Sequence, residues 1–112
     1  MKIQGMVVHG QKKGKKLGFP TANIHFSGDL EDGIYAGKVI FGEKEYRAGI
    51  FRDKKKNLLE AHILDFMGNL YGQIIEVEVI QKIREVKKFK NDIALREQIL
   101  LDINAIKKCL PA

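Results

Sequence analysis

Gln73-Ile74-Ile75-Glu76-Val77-Glu78-Val79-Ile80-Gln81-Lys82-Ile83-Arg84, taken together with the residues after Phe89, decides the fold class. Ile75, Val77 and Val79 recur at every second position, which places them on one face of an extended strand. Beyond Phe89 the period changes. Leu95, Ile99, Ile103, Ile106 and Leu110 are spaced four, four, three and four residues apart, a single apolar stripe along one helix. Asn91 or Asp92 can supply the N-cap oxygen, and Lys107 and Lys108 suit the negative end of the helix dipole. Pro111 ends the helix.

Upstream of Gln73 the pattern is strands and turns. Ile3 to His9 is a β-rich opening segment that runs into Gly10. Ile34 to Phe41 comes after Asp32-Gly33, and Gly42-Glu43-Lys44 reads as a hairpin turn into Glu45 to Phe51. Leu58 to Phe66 is a further strand, closed by Met67-Gly68-Asn69. Short strands with one amphipathic helix after them predict a mainly β domain: a closed or nearly closed antiparallel barrel with the helix packed outside. That architecture hosts many functions.

The chain has 112 residues, enough for one core, and 1–112 is read as a single domain. Apolar residues make up 45% and charged residues 30%, the balance of a soluble globular protein. The lone Cys109 excludes an internal disulfide, and with three scattered histidines it makes no tetrahedral metal cluster. With no signal-peptide pattern and no membrane-length apolar run, the expectation is a cytoplasmic protein. The net charge of +6 favours phosphate-bearing partners without choosing among them. Much of the excess lies in Lys12-Lys13-Gly14-Lys15-Lys16 and Lys54-Lys55-Lys56.

The first of these clusters opens the stretch that carries chemistry, Gly14-Lys15-Lys16-Leu17-Gly18-Phe19-Pro20-Thr21-Ala22-Asn23-Ile24. Glycines interleaved with lysines permit a sharp turn whose backbone N–H groups and ammonium groups cradle phosphate oxygens. It is not a Walker A loop: Gly10 to Gly14 encloses three residues rather than four, and Lys15 is followed by Lys16 rather than Ser or Thr. Pro20 biases Phe19 toward an extended conformation. In an extended segment Thr21 and Asn23 share one face while Ala22 and Ile24 share the other. A hydroxyl and an amide beside a phosphate turn are hard oxygen donors of the kind Mg²⁺ uses when it arrives with a nucleotide. The plainer reading is a turn whose Thr and Asn satisfy nearby backbone groups.

Glu60 is the second candidate. Period two puts Glu60 and His62 on one face of their strand and Leu59, Ala61 and Ile63 on the other. A carboxylate in mid-strand lies on a solvated face or in a site, where it could accept the proton of an attacking hydroxyl; His62 alone reads as structural. No Ser/His/Asp or Cys/His nucleophile arrangement is present.

These residues resemble the signature of the riboflavin kinases of the bacterial and eukaryotic type. Gly14, Leu17, Gly18 and Phe19-Pro20-Thr21-Ala22-Asn23-Ile24 carry the core of the likeness. Gly5-x-Val7-Val8-His9-Gly10, Asp32-Gly33-Ile34-Tyr35-Ala36-Gly37 and Glu60-x-His62-Ile63-Leu64-Asp65-Phe66 with Leu70-Tyr71-Gly72 continue it in order. Arg84, Phe89, Leu95, Gln98-Ile99 and Asp102 fall at the family's spacing. The resemblance implies a six-stranded, Greek-key-like barrel with a C-terminal helix outside, and transfer of phosphate from Mg-ATP to the terminal hydroxyl of riboflavin, giving FMN and ADP. It implies that Thr21 and Asn23 bind Mg²⁺ and phosphates, and that Gly14, Lys15 and Gly18 belong to a phosphate-covering flap. Glu60 would be the base, and Arg84 and Phe89 would lie on the flavin side near a mobile flap. The partners expected are these small molecules, with neither nucleic acid nor membrane, acting on a monomer.

There are departures. Gly49 to Asn57 stands where the family carries an Asn-Pro-x-Phe type loop, and reads as shorter and lysine-rich; Val86 stands where an acidic residue often succeeds the loop arginine. The nucleotidylyltransferase domain that precedes this one in bacterial enzymes is absent, so the chain is a stand-alone kinase or an excised domain, and FAD synthesis is not expected. Two alternatives compete: a basic barrel that binds single-stranded nucleic acid by a positive groove and stacking aromatics, and a degenerate member that binds flavin or FMN as a sensor. The first needs a row of exposed aromatics, whereas the six Phe and three Tyr are scattered through apparent core positions.

Overall fold

The computed structural model describes residues 1–9 and 21–111. Among the described residues, six strands and one helix occur in chain order: β1 (Lys2–Met6), β2 (Thr21–His25), β3 (Gly33–Phe41), β4 (Lys44–Asp53), β5 (Leu58–Ile63), β6 (Ile74–Arg84) and α1 (Asp92–Cys109). The strands form one antiparallel sheet in the order β1-β6-β3-β4-β5-β2. The sheet curls until its two ends meet, where Val8 bridges to Asn23 and the Val8 amide donates to the Asn23 carbonyl at 2.7 Å. Gly5 allows this closure, because a Cβ there would stand 3.2 Å from Cβ of Ile24. The result is the nearly closed barrel that the strand pattern predicts.

Curvature has a local source. Register shifts interrupt the β3–β6 ladder between Ile34 and Tyr35 and again between Ala36 and Gly37, and such irregularities bend a strand and raise its twist. The β3–β4 hairpin pairs Phe41 with Lys44. Its two-residue turn is Gly42-Glu43, with Gly42 at φ 63° as a turn with glycine first requires. Lys44 therefore belongs to the strand rather than to the turn. The opening strand is shorter than Ile3 to His9, and β5 stops at Ile63 rather than Phe66.

Alternation fills the barrel. Ala22, Ile24, Val39, Ala48, Ile50, Leu59, Ala61, Ile63, Ile75 and Val77 are buried together, the inward half of each strand. Phe26, Phe41, Tyr46 and Phe66 pack on this core from its edges. Ile106 of α1 joins Ala36 and Leu64 in a smaller cluster outside the barrel, with Ile103 and Leu110 packed against it. The Asn91 side chain accepts from the Ala94 amide at 2.8 Å, which makes Asn91 the N-cap. Arg47 donates to the Leu110 carbonyl at the other end of the helix.

The Gly49–Asn57 stretch differs from its reading as a loop. Strand β4 runs through Asp53, and only Lys54 to Asn57 form the turn, closed by Asn57 in the left-handed region at φ 52°. The reason is Arg52, 1% exposed. Its guanidinium donates to the carbonyls of Leu30 (3.2 Å), Phe26 (2.8 Å), Leu58 (3.4 Å) and Gly28 (3.1 Å) and lies over the Phe26 ring. A polar-looking segment stays in the sheet because one buried cation satisfies the carbonyls of the connection leaving β2. Arg52→Ala is expected to cost about 3 kcal/mol or more, since it strands several acceptors at once. Arg52→Lys should recover less than half of that loss, lacking the planar fork. Urea denaturation measures both; a near-neutral alanine variant would contradict this role.

Candidate active site

The site is assembled by the pairing of β2 with β5. Thr21 lies opposite His62, and Asn23 opposite Glu60. With Leu59, Ala61 and Ile63 turned into the core, the four polar residues share the other face of the two strands. Asn23 is 6% exposed, and Thr21, Glu60 and His62 are half-buried. Nε2 of His62 stands 2.9 Å from Oε1 of Glu60. Neither Thr21 nor Asn23 has a side-chain hydrogen-bond partner among the described residues, which leaves the hydroxyl and the amide free for a ligand.

Glu60 borders two depressions. On one side it lines a small recess with Asn23, Phe51, Asp53, Lys56 and Leu58. On the other it lines a cavity of about 440 Å³ between the sheet and α1, within the size range of a cofactor site. Ile34, Phe51 and Leu64 wall the cavity from the sheet, Leu95, Ile99, Ile103 and Ile106 from the helix, and Val86 to Phe89 from the connection between β6 and α1. Gly49 lies on the sheet side, where an added Cβ would come within 2.9 Å of Cδ1 of Ile106; its lack of a side chain lets the helix approach.

Arg84 and Phe89 both line this cavity, but Arg84 is not a free cation there. Its Nε and Nη2 donate to the two oxygens of Asp102, each at 2.8 Å, and Nη1 donates to the Glu85 carbonyl at 2.9 Å. Gln98 donates to the same carboxylate at 3.0 Å, and Phe89 lies 6.0 Å beneath the guanidinium. Asp102 stands on the buried side of α1 with Ile99 and Ile106. That position is the available signal in the sequence: an acid three residues after one apolar stripe residue and four before another needs a buried partner. Lys82 anchors the same connection through Glu85 and Glu31. Hydrogen bonding to Glu85 first, then to Glu31, outweighs desolvation and raises the Lys82 ammonium above its ordinary value.

Gly14, Lys15 and Gly18 lie outside the described residues. The sequence alone reads His62 as structural and does not single out Lys56 or Phe51. Among the described residues no group of three His, Cys, Asp or Glu could hold a metal ion. Thr21 and Asn23 fit a hard cation that brings its own phosphate oxygens, and they do not fit a metal held by protein alone. No helix among the described residues is long and apolar enough to cross a membrane.

Comparison with known proteins decides the family. The model of the riboflavin kinase (Flavokinase) family matches residues 1–110. The chain belongs to the riboflavin kinase family. A bifunctional riboflavin kinase/FMN adenylyltransferase of Buchnera aphidicola subsp. Schizaphis graminum is 41% identical over 95% of this chain and 38% of its own length. The chain thus spans well under half of that relative. Among solved structures, the riboflavin kinase of Trypanosoma brucei superposes with a TM-score of 0.72 at 25% identity, covering 97% of this chain and 76% of that one. A Streptococcus pneumoniae chain described as a macrolide-efflux protein gives 0.78 at 29% identity, over 95% of this chain and 36% of that one. The six-stranded barrel with its C-terminal helix is therefore the family's fold.

Asp102→Ala should destabilise the protein by about 3 kcal/mol, because it leaves the largely buried Arg84 guanidinium without its carboxylate. Urea denaturation tests this, and a change below about 1 kcal/mol would show that the pair does not hold the helix to β6.

Proposed function

We propose that this chain transfers the γ-phosphate of ATP to the terminal hydroxyl of riboflavin. The observation that carries the proposal is the place of Glu60, between a polar recess that contains Asn23 and an apolar cavity large enough for a flavin. A phosphoryl transfer between two bound substrates needs a residue at that boundary. Family membership supports the same reading.

The isoalloxazine ring fits the apolar cavity between the sheet and α1, with its ribityl chain directed toward Glu60. The nucleotide phosphates lie on the Asn23 side. Thr21 and Asn23 hold Mg²⁺ as it arrives with ATP, and when bound the ion neutralises charge on the phosphate oxygens. Gly14, Lys15 and Gly18 are assigned to the nucleotide phosphates on the family resemblance alone. The Glu60 carboxylate accepts the proton of the riboflavin hydroxyl as its oxygen bonds to the γ-phosphorus and the bond from that phosphorus to the ADP oxygen breaks. Proton acceptance by a carboxylate suffices where positioning and charge neutralisation carry most of the catalysis. Arg84, held by Asp102, and Phe89 border the flavin rather than the phosphates. The chain acts as a monomer, in the cytoplasm, as a single domain.

Chromatography of products after mixing the protein with riboflavin and ATP should show FMN and ADP in equal amounts; no FMN with ATP, GTP or CTP would end the proposal. Glu60→Gln should lower kcat by about 10²–10⁴-fold while Mg-ATP binding, monitored by calorimetry, stays within about threefold. Equal loss of both would show that Glu60 has another task. Asn23→Ala should weaken ATP binding only when Mg²⁺ is present, and a metal-independent defect would reassign Asn23 to the fold.

A further inference from the structure

We infer that His62 is a positioning residue for Glu60, holding its carboxylate turned toward the cavity; the inference rests on the reading of Glu60 as the base. The two residues stand at i and i+2 on β5, where neighbouring side chains on one face are about 6.6 Å apart at their origins. A contact of 2.9 Å between Nε2 and Oε1 therefore requires both side chains to lean together. Their neighbours leave room for it. His62 faces Gly49 across one ladder and Thr21 across the other, so no bulky side chain crowds the ring from β4.

The direction of that lean carries the inference. Glu60 lines both the recess and the cavity, His62 lines the cavity alone, and Lys56 lines the recess alone. The carboxylate thus has its nitrogen partner on the cavity side. The recess is lined by charges of both signs, Lys56 and Asp53, and the side-chain hydrogen bond of Glu60 runs instead to His62. The N–H of His62 fixes Oε1 on the cavity side and leaves Oε2 for the riboflavin hydroxyl. A base displaced by about 1 Å loses on the order of 10²-fold in rate, so a single hydrogen bond of this kind governs turnover without touching substrate.

Steady-state kinetics on five proteins test this: wild type, His62→Asn, His62→Gln, Glu60→Gln and the double variant His62→Asn/Glu60→Gln. The Asn amide is too short to reach Oε1, whereas the Gln amide nitrogen extends as far as Nε2. His62→Asn should lower kcat about 10- to 100-fold, with KM for riboflavin and for ATP within about threefold and an unchanged melting temperature. His62→Gln should recover most of the loss. In the Glu60→Gln background, His62→Asn should add nothing, because the group it positions is gone. Wild-type kcat in His62→Asn beside an inactive Glu60→Gln would overturn the inference while leaving the base in place. So would losses that multiply in the double variant, or a His62→Gln as slow as His62→Asn. A fully active Glu60→Gln would instead remove the base assignment, and the positioning role with it.

Discussion

The antiparallel ladder between β2 and β5 is the constraint on which the site depends. It sets Thr21 against His62 and Asn23 against Glu60, pairs 41 and 37 positions apart in the chain. A slip of one residue would turn Ala22 and Ile24 outward and drive a hydroxyl and an amide into the core. The cost of that exchange is what keeps the register: Ala22, Ile24, Leu59 and Ala61 are almost wholly buried, so core packing on one face holds polar chemistry in place on the other. Val8, bridged to Asn23, and Gly5, against Ile24, brace β2 from the far end of the sheet.

The second requirement is a walled space beside that polar row. The helix supplies it by standing off the barrel along part of its length. Ile106 seats closely on Ala36 and Leu64, where Gly49 lets it approach, while Leu95, Ile99 and Ile103 roof the cavity. The Arg84–Asp102 pair ties the middle of the helix, between Ile99 and Ile103, to the end of β6. A helix held at Asp102 and Ile106 beside an unfilled space leaves an apolar slot with the Glu60 carboxylate in its lining. In the proposed reaction that slot takes the flavin, and the nucleotide stays on the Asn23 side of Glu60.

Much of this is legible in the chain. Period two in Leu59, Ala61 and Ile63 and in Ile75, Val77 and Val79 assigns strands and faces correctly, because alternation is a local property of the backbone. The four-four-three-four stripe assigns the helix for the same reason. The features that are not legible are non-local or compensated. Which strand lies beside β2 depends on how the whole sheet closes. Arg52 and Asp53 look like the start of a lysine-rich loop, yet Arg52 is buried because four carbonyls from distant residues converge on it. Asp102 falls among the apolar stripe of the helix, but that its partner is Arg84 follows only once β6 is placed beside the helix. The contact between His62 and Glu60 is not legible because a same-strand contact at i and i+2 depends on what the flanking strands leave open.

The most direct test of this account is a crystal structure with riboflavin and a non-hydrolysable ATP analogue bound together with magnesium. The account predicts the flavin ring between the sheet and α1 against Phe89 and Ile99, the phosphates beside Asn23, and a Glu60 carboxylate oxygen within hydrogen-bonding reach of the terminal ribityl hydroxyl. A flavin bound elsewhere, or a Glu60 side chain directed into solvent and away from that hydroxyl, would contradict it.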